Sequence, residues 1–311
     1  MEPDKDLIII GGGAAGLTAA QYGALANLRT LMLDELAPGG QCLVIDTLEN
    51  YPGLPEALTG FEFAERMEQQ ARAFGAELRN ATADKLTKKD GLFEVETHQG
   101  TLTAHAVILA TGAKHRKLMV DGESELSGKG VSYCATCDGP FFRGKRVLVV
   151  GGGDAACDEA TFLANLTDSV IMVHRRDRLR AQKVLANRVL SNPHIQVRWN
   201  TVVRQIVGNG RVERVELQRT DTDEHYEEAV DAVFVFIGSI PRTGLVPDLP
   251  KDAGGFLITD ERMQTSVPGL FAVGDVRATP FRQLVVIAGE GAVAAHAASQ
   301  YIDELKGEAY A

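Results

Sequence analysis

Predominantly apolar stretches recur along this chain: Leu7 to Ile10, Thr30 to Leu33, Arg146 to Val150, Val170 to Val173 and Val230 to Ile237. Each is short, which reads as a strand buried on both faces, the habit of parallel sheets. Glycine- and alanine-rich stretches link the runs. Gly11-Gly12-Gly13-Ala14-Ala15-Gly16 leads into a helix through Asn27, and Gly151-Gly152-Gly153-Asp154-Ala155-Ala156 leads into one from about Ala155 through Leu166. Residues 94–97 predict a hairpin with Leu102 and Thr103, and the segment from Thr101 to Ala110 runs into Thr111-Gly112. Near the end, Gly269 to Asp275 reads as a strand closing on glycine and acid. An alanine-rich helix follows from about Leu284 to Leu305, small enough in its side chains to pack tightly.

Strand, glycine turn, helix, strand is the βαβ dinucleotide fingerprint in its proper context. Gly11 permits the tight turn, Gly13 lets the backbone approach a pyrophosphate, and Gly16 lets the helix lie close to the strand. Ala14 opens a helix whose first amides attract phosphate. An acid near the end of the second strand can hold a ribose hydroxyl, and Asp34 and Glu35 are both candidates. The second copy carries Gly151 and Gly153, with Ala156 in the third place; Asp154 can cap its helix, with Ala155 behind it. Its second strand ends in His174-Arg175-Arg176, with Arg180 beyond. Arginines there fit the 2'-phosphate of NADPH, or else form a solvated basic start to a helix. Ile237-Gly238 takes the place in this half that Thr111-Gly112 takes in the first.

Length and charge narrow the class. A chain of 311 residues has room for about two domains. With 42 acidic against 32 basic residues, the net charge of -10 speaks against a nucleic-acid or anionic-membrane surface. Leu7 to Leu28 has no charge and could span a bilayer, but its glycine turn and the preceding Asp4-Lys5-Asp6 fit a buried strand and helix better. A cytoplasmic protein is expected.

Of the cysteines Cys42, Cys134, Cys137 and Cys157, only Cys134 and Cys137 are close in sequence. Such a pair can close a small redox disulfide, contribute to a zinc site given two more ligands, or be plainly buried. Beside two dinucleotide fingerprints the redox reading has chemical sense. A nicotinamide gives a hydride, a disulfide takes two electrons, and a flavin held as FAD in the other site converts between them. Asp138 adjoins the pair and either moves a proton or serves as a turn aspartate before Gly139-Pro140.

Over nearly its whole length the chain resembles the low-molecular-weight, bacterial-type thioredoxin reductases. The resemblance rests on Gly11 to Gly16, Gly39-Gly40-Gln41, Glu49-Asn50-Tyr51-Pro52-Gly53, Ala110-Thr111-Gly112, Cys134-Ala135-Thr136-Cys137-Asp138-Gly139, Gly151 to Ala156, His174-Arg175-Arg176 with Arg180, Gly274-Asp275 and Arg282-Gln283. It implies FAD-containing homodimers that reduce thioredoxin with NADPH. It also implies that Cys137 faces the flavin, Cys134 attacks the partner disulfide and Asp138 is the acid. Asn50, Asp275 and Gln283 match flavin-contacting positions, and Arg175, Arg176 and Arg180 match phosphate-binding ones. Gly40, Gln41, Thr111, Gly112, Gly274 and Arg282 join the cofactor-binding set.

The expected fold is α/β with two Rossmann-like three-layer dinucleotide-binding domains, the NADPH domain inserted in the FAD domain. Residues 1–117 and 244–311 would bind FAD, and 118–243 would bind NADPH and carry the cysteine pair. Other readings are a reductase of a glutaredoxin-like protein or peroxiredoxin, or a non-catalytic flavoprotein redox sensor. Cys42 stands where many relatives carry a polar residue and is either an extra thiol or a buried free cysteine. Trp199 and His296 are expected to be structural.

Overall fold

The computed structural model describes residues 2–45, 48, 50–56, 58–279 and 281–308. The chain opens with β1 (Lys5–Ile10), α1 (Ala14–Leu25) and β2 (Thr30–Asp34). The helix stops short of Asn27 because that residue turns left-handed at φ 60°, a conformation asparagine tolerates. Next come α2 (Gly60–Ala73), β3 (Glu77–Asn80), β4 (Ala83–Lys89), β5 (Leu92–Thr97) and β6 (Gly100–Leu109). Thr59 and Glu62 start α2 with a reciprocal capping box, and Phe63, Ala64, Met67 and Ala71 give it one buried face. The expected hairpin is present, with Glu94 opposite Thr103 and Val95 opposite Leu102.

A short β7 (Ala113–His115) leads to β8 (Val131–Ser132), the four-residue α3 (Ala135–Asp138), β9 (Val147–Gly151), α4 (Asp154–Ala164) and β10 (Val170–Val173). Then follow α5 (Lys183–Ser191), β11 (Ile195–Arg198), β12 (Thr201–Val207), β13 (Arg214–Arg219), β14 (His225–Ala229), β15 (Ala232–Phe236) and β16 (Ser239–Pro241). The chain ends with β17 (Leu270–Ala272) and α6 (Leu284–Lys306). The strand expected up to Asp275 stops at Ala272, since Gly274 is left-handed and turns the chain into a 3-10 helix over Gly274–Val276.

The chain divides into two compact units, Met1–Lys114 with Ile240–Ala311, and His115–Ser239. The divisions lie a few residues before 117 and 243. The Arg242 N–H donates to the Gly112 carbonyl, which keeps that segment with the first unit. The Arg116 N–H donates to the Gly238 carbonyl, which keeps that segment with the second.

In the first unit a sheet runs β3-β2-β1-β6-β5-β4, with β17 also paired to β6. The strands β1, β2, β3, β6 and β17 are mutually parallel, and β4 and β5 are antiparallel additions. Side chains alternate between its faces. Leu7, Ile9, Met32 and Ile108 pack under α1, α2 and α6, while Ile8, Ile10, Leu31 and Leu33 meet Phe93, Val246, Leu257 and Val276 on the other side. The second unit is built alike on a parallel sheet β11-β10-β9-β15-β8. One face packs on Ala156, Ala160 and Leu163 of α4. The other packs on Val203, Ile206, Val215 and Leu217 of the three-stranded sheet β12-β13-β14. Both parallel sheets therefore lie between covering layers, which is why their strands read as predominantly apolar runs.

Candidate redox and dinucleotide sites

The turn after β1 shows three different uses of glycine. Gly11 has φ +108°, and a Cβ there would collide with the Ala110 carbonyl. A Cβ on Gly16 would collide with the Gly11 carbonyl, so this glycine lets α1 press onto the turn. Gly13 is the N-cap of α1, with no side-chain cap, and a Cβ there would meet nothing within 4 Å. Its glycine answers to nothing inside the unit. That open edge beside the first amides of a helix is shaped for a phosphate. Gly39 closes the rim by donating its N–H to the Gly12 carbonyl at 2.7 Å, and Gly40 has φ +54° beside Gly13.

The two acids after β2 separate in role. Asp34 accepts from the Gly12 N–H and, at 2.8 Å, from the Leu36 N–H, so its carboxylate locks the glycine turn. Glu35 is exposed and paired with Arg242 at 2.6 Å, which leaves it the accessible carboxylate. Gln41 donates to the Ala113 carbonyl at 2.9 Å, Thr111 to the Arg242 carbonyl at 2.7 Å, and Asn50 to the Gln283 side chain at 3.1 Å. Gly112 is left-handed at φ +65°. The Arg282 guanidinium lies 4.0 Å from the centre of the Phe256 ring. Asp275 has a buried Oδ1 with no hydrogen-bond partner among the described residues, and burial raises its pKa. An orphaned buried carboxylate oxygen asks for a donor from outside the chain, such as a ligand hydroxyl.

The second turn repeats the geometry. A Cβ on Gly151 would collide with the Phe236 carbonyl, whereas one on Gly153, the uncapped N-cap of α4, would meet nothing within 4 Å. Asp154 is not the helix cap. Its two oxygens accept from the Gln182 N–H at 2.8 Å and the Gln182 side-chain amide at 2.9 Å, tying the next helix to this one. Ala155 follows it, exposed in the first turn of α4. His174 is 5% exposed, its ring against Gly152, with Nε2 unpartnered among the described residues; burial lowers its pKa. Arg175, Arg176 and Arg180 are exposed, with no carboxylate partner among the described residues, and the Arg180 N–H donates to the Gly152 carbonyl at 2.7 Å. Ile237 follows the end of β15, and Gly238 has φ +112° with open space where a Cβ would be. Trp199 meets His174 edge-on, a packing contact. His296 is exposed on α6, so it is a surface residue rather than a packed one.

In the same unit Cys134 is disulfide-bonded and directly precedes α3. Ser132 accepts from the Cys134 N–H and donates to its carbonyl, each at 3.1 Å, and the Cys134 sulfur lies 3.3 Å from the Thr136 hydroxyl. The backbone of Cys137 lies in α3, and its side chain is outside the described atoms. Asp138 stands at the N-cap of the following 3-10 helix, but its side chain makes no capping bond. Cys42 and Cys157 are buried free thiols, pushed by burial up to about 11 and about 12. Cys42 is thus the buried cysteine and not an accessible extra thiol.

Residues 5–300 match the family described as pyridine nucleotide-disulphide oxidoreductase. The chain belongs to this family, among the low-molecular-weight thioredoxin reductases. It is similar to the thioredoxin reductase of Treponema pallidum, at 56% identity over 98% of this chain and 100% of that one. Of solved structures, it is similar to Lactococcus lactis thioredoxin reductase, with TM-score 0.93, 39% identity, and 97% and 100% of the two chains covered. It is also similar to T. acidophilum thioredoxin reductase, with TM-score 0.91, 34% identity, and 98% and 100% covered.

Two site residues of this oxidoreductase escape a linear reading. Glu290 on α6 is 6% exposed and accepts from the Gly274 N–H at 2.7 Å and from the Arg277 guanidinium. Arg277 in turn donates to Thr259 at 2.8 Å. This buried pair fixes the backbone on either side of Asp275. Its signal in the sequence is an acid in the buried face of an alanine-rich helix, where an unpaired charge would be costly.

Proposed function

We propose that the first unit holds FAD, that the second holds NADPH and the Cys134–Cys137 disulfide, and that the protein passes electrons from NADPH to oxidised thioredoxin. The chain is an NADPH-dependent flavoprotein disulfide reductase of the thioredoxin reductase type. The observation that carries the residue assignment is the pairing, within one unit, of a disulfide-bonded Cys134 with an open glycine turn flanked by arginines that have no carboxylate partner among the described residues. When bound, FAD accepts the nicotinamide hydride and passes its two electrons to a disulfide.

The rest is the work of the chain. The first amides of α1 and the open edge at Gly13, with Ala14 behind it, hold a diphosphate. Glu35, held by Arg242, receives a ribose hydroxyl, and Asp34 keeps the turn in shape. Asp275, Asn50, Gln283, Arg282, Gln41 and Thr111 line the flavin end, where the unpartnered Asp275 Oδ1 accepts a ligand hydroxyl. Arg175, Arg176 and Arg180 take the 2'-phosphate, whose geometry suits forked donors. Once the Cys134–Cys137 disulfide has been reduced, the Cys134 thiolate, at the start of α3, attacks the partner disulfide, Cys137 resolves the mixed disulfide and restores the Cys134–Cys137 bond, and Asp138, whose side chain makes no cap, passes a proton to the leaving thiolate. A cytoplasmic homodimer completes the reading; light scattering on the purified protein tests the dimer.

The deciding experiment is anaerobic addition of NADPH to the purified yellow protein, followed by oxidised thioredoxin. Flavin absorbance near 450 nm should bleach and then return. A flavin that bleaches but is reoxidised only by a peroxiredoxin or glutaredoxin-like protein would replace the acceptor. A flavin that NADPH does not bleach would remove the reductase reading.

A further inference from the structure

Glu123 is a carboxylate only 2% exposed, and no cation pairs with it among the described residues. Three donors converge on it instead, the N–H groups of Leu118 and Met119 and the hydroxyl of Tyr133, all at 2.7 Å. A buried carboxyl group without a counterion is accommodated only where donors satisfy its oxygens in this way. The backbone at Met119 is left-handed at φ 62°, an unfavourable conformation for a side chain with a Cβ, yet that side chain is 85% exposed and packs on little. What holds the strain is the Glu123 carboxylate.

The third donor gives this knot a functional address. Tyr133 is the residue before Cys134. Its ring lies 6.2 Å from that of His115, and its hydroxyl is gripped by Glu123. Burial, and then the carboxylate, raise the Tyr133 phenol well above its usual range, so it stays a donor throughout neutral pH. The chain entering the redox loop is thereby fastened to the segment 115–119 from which the second unit starts.

We propose that Glu123 and Tyr133 are positioning residues for Cys134: their hydrogen bond holds the loop so that the Cys134 sulfur is presented to the partner disulfide. This rests on the reading that Cys134 is the attacking thiol. The Cys134→Ser variant tests that reading separately, because thioredoxin turnover by it would remove the reading whatever Glu123 and Tyr133 do.

The test uses Tyr133→Phe and Glu123→Gln in the FAD-loaded full chain. Three quantities are measured: the rate of flavin reduction by NADPH, kcat and KM for oxidised thioredoxin, and the rate of Cys134 alkylation by iodoacetamide after reduction. For Tyr133→Phe, FAD content and flavin reduction should match the wild type. Its kcat/KM for thioredoxin should fall about tenfold, mainly through KM, as expected for one lost hydrogen bond to a charged group. Alkylation of Cys134 should change with it, and Glu123→Gln should move both readouts further in the same direction. A knot that serves only the fold would lower the melting temperature and leave kcat/KM and alkylation as they are. That outcome in Tyr133→Phe overturns the proposal, whether or not Glu123→Gln folds. Equal slowing of flavin reduction and thioredoxin reduction overturns it too, since the effect would not then belong to Cys134.

Discussion

Gly13 and Gly153 offer a substitution that the empty fold accepts and a bound dinucleotide does not. Each is a helix N-cap in an extended conformation that alanine adopts freely, φ -70° at Gly13 and -96° at Gly153. A Cβ at either would meet nothing within 4 Å. Changing either to alanine should therefore cost the apoprotein no more than about 1 kcal/mol, the usual loss at an N-cap. The added methyl sits where a pyrophosphate would lie against the helix amides. Pushing the phosphate away weakens charge-assisted hydrogen bonds worth about 1.5–3 kcal/mol each. Two such bonds, partly lost, give about 2–4 kcal/mol, or roughly 30- to 1000-fold in affinity. Gly13→Ala should thus lose FAD in a titration followed by flavin fluorescence, while melting as apoprotein near the wild type. Gly153→Ala should keep FAD and show its defect as a raised KM for NADPH. Gly16→Ala is the internal contrast, because its Cβ would collide with the Gly11 carbonyl and damage the fold itself. Wild-type FAD affinity in Gly13→Ala, or loss of FAD in Gly153→Ala with NADPH use intact, would refute the assignment of the two turns.

Replacing Arg175 and Arg176 together by alanine should raise KM for NADPH by about 2–5 kcal/mol equivalent and leave FAD content unchanged; wild-type protein that uses NADH as well as NADPH would contradict the phosphate role. Cys137→Ser should trap a mixed disulfide through Cys134 with a thioredoxin that lacks its resolving cysteine, and mapping of that bond to Cys42 or Cys157 by mass spectrometry would discard the relay. Iodoacetamide at pH 8 should label NADPH-reduced protein at the redox pair and spare Cys42 and Cys157, whose thiols burial holds up to about 11 and about 12; fast labelling of either would show the burial to be wrong. Asp6 is tied to Arg29 and Lys306, each at 3.1 Å, and its pKa is lowered from 3.8 to about 2 against the opposing effect of burial. A depressed carboxylate contributes stability that is full above its unfolded pKa and is lost as pH falls through about 2. Asp6→Asn should therefore cost about 1–2 kcal/mol at pH 7 and less at each step below pH 4; a wild-type-minus-variant difference that does not shrink there would exclude the ion pair as its source.

The sequence alone determined what depends on neighbouring residues. Runs such as Leu7 to Ile10 and Val170 to Val173 declared parallel strands because both faces of each are covered. The glycines at 11 and 151 declared tight turns and Gly16 a close helix, because their φ angles or close contacts exclude a side chain. The Cys134 to Cys137 spacing pointed to redox chemistry only beside two dinucleotide fingerprints, because a hydride donor and a flavin give a close cysteine pair electrons to accept. Tertiary structure decided what depends on residues distant in the chain. It gave Asp34 and Glu35 different partners, one the Gly12 N–H and the other Arg242, 207 positions away. It took Asp154 from the cap it was expected to make and gave it to Gln182, joined Asn50 to Gln283, and placed Glu290 beneath Gly274. A carboxylate looks the same in sequence whether it meets solvent, a backbone amide or an arginine. Its role is set by whichever donors the folded chain brings within 3 Å, and that information exists only once the sheets and helices have packed.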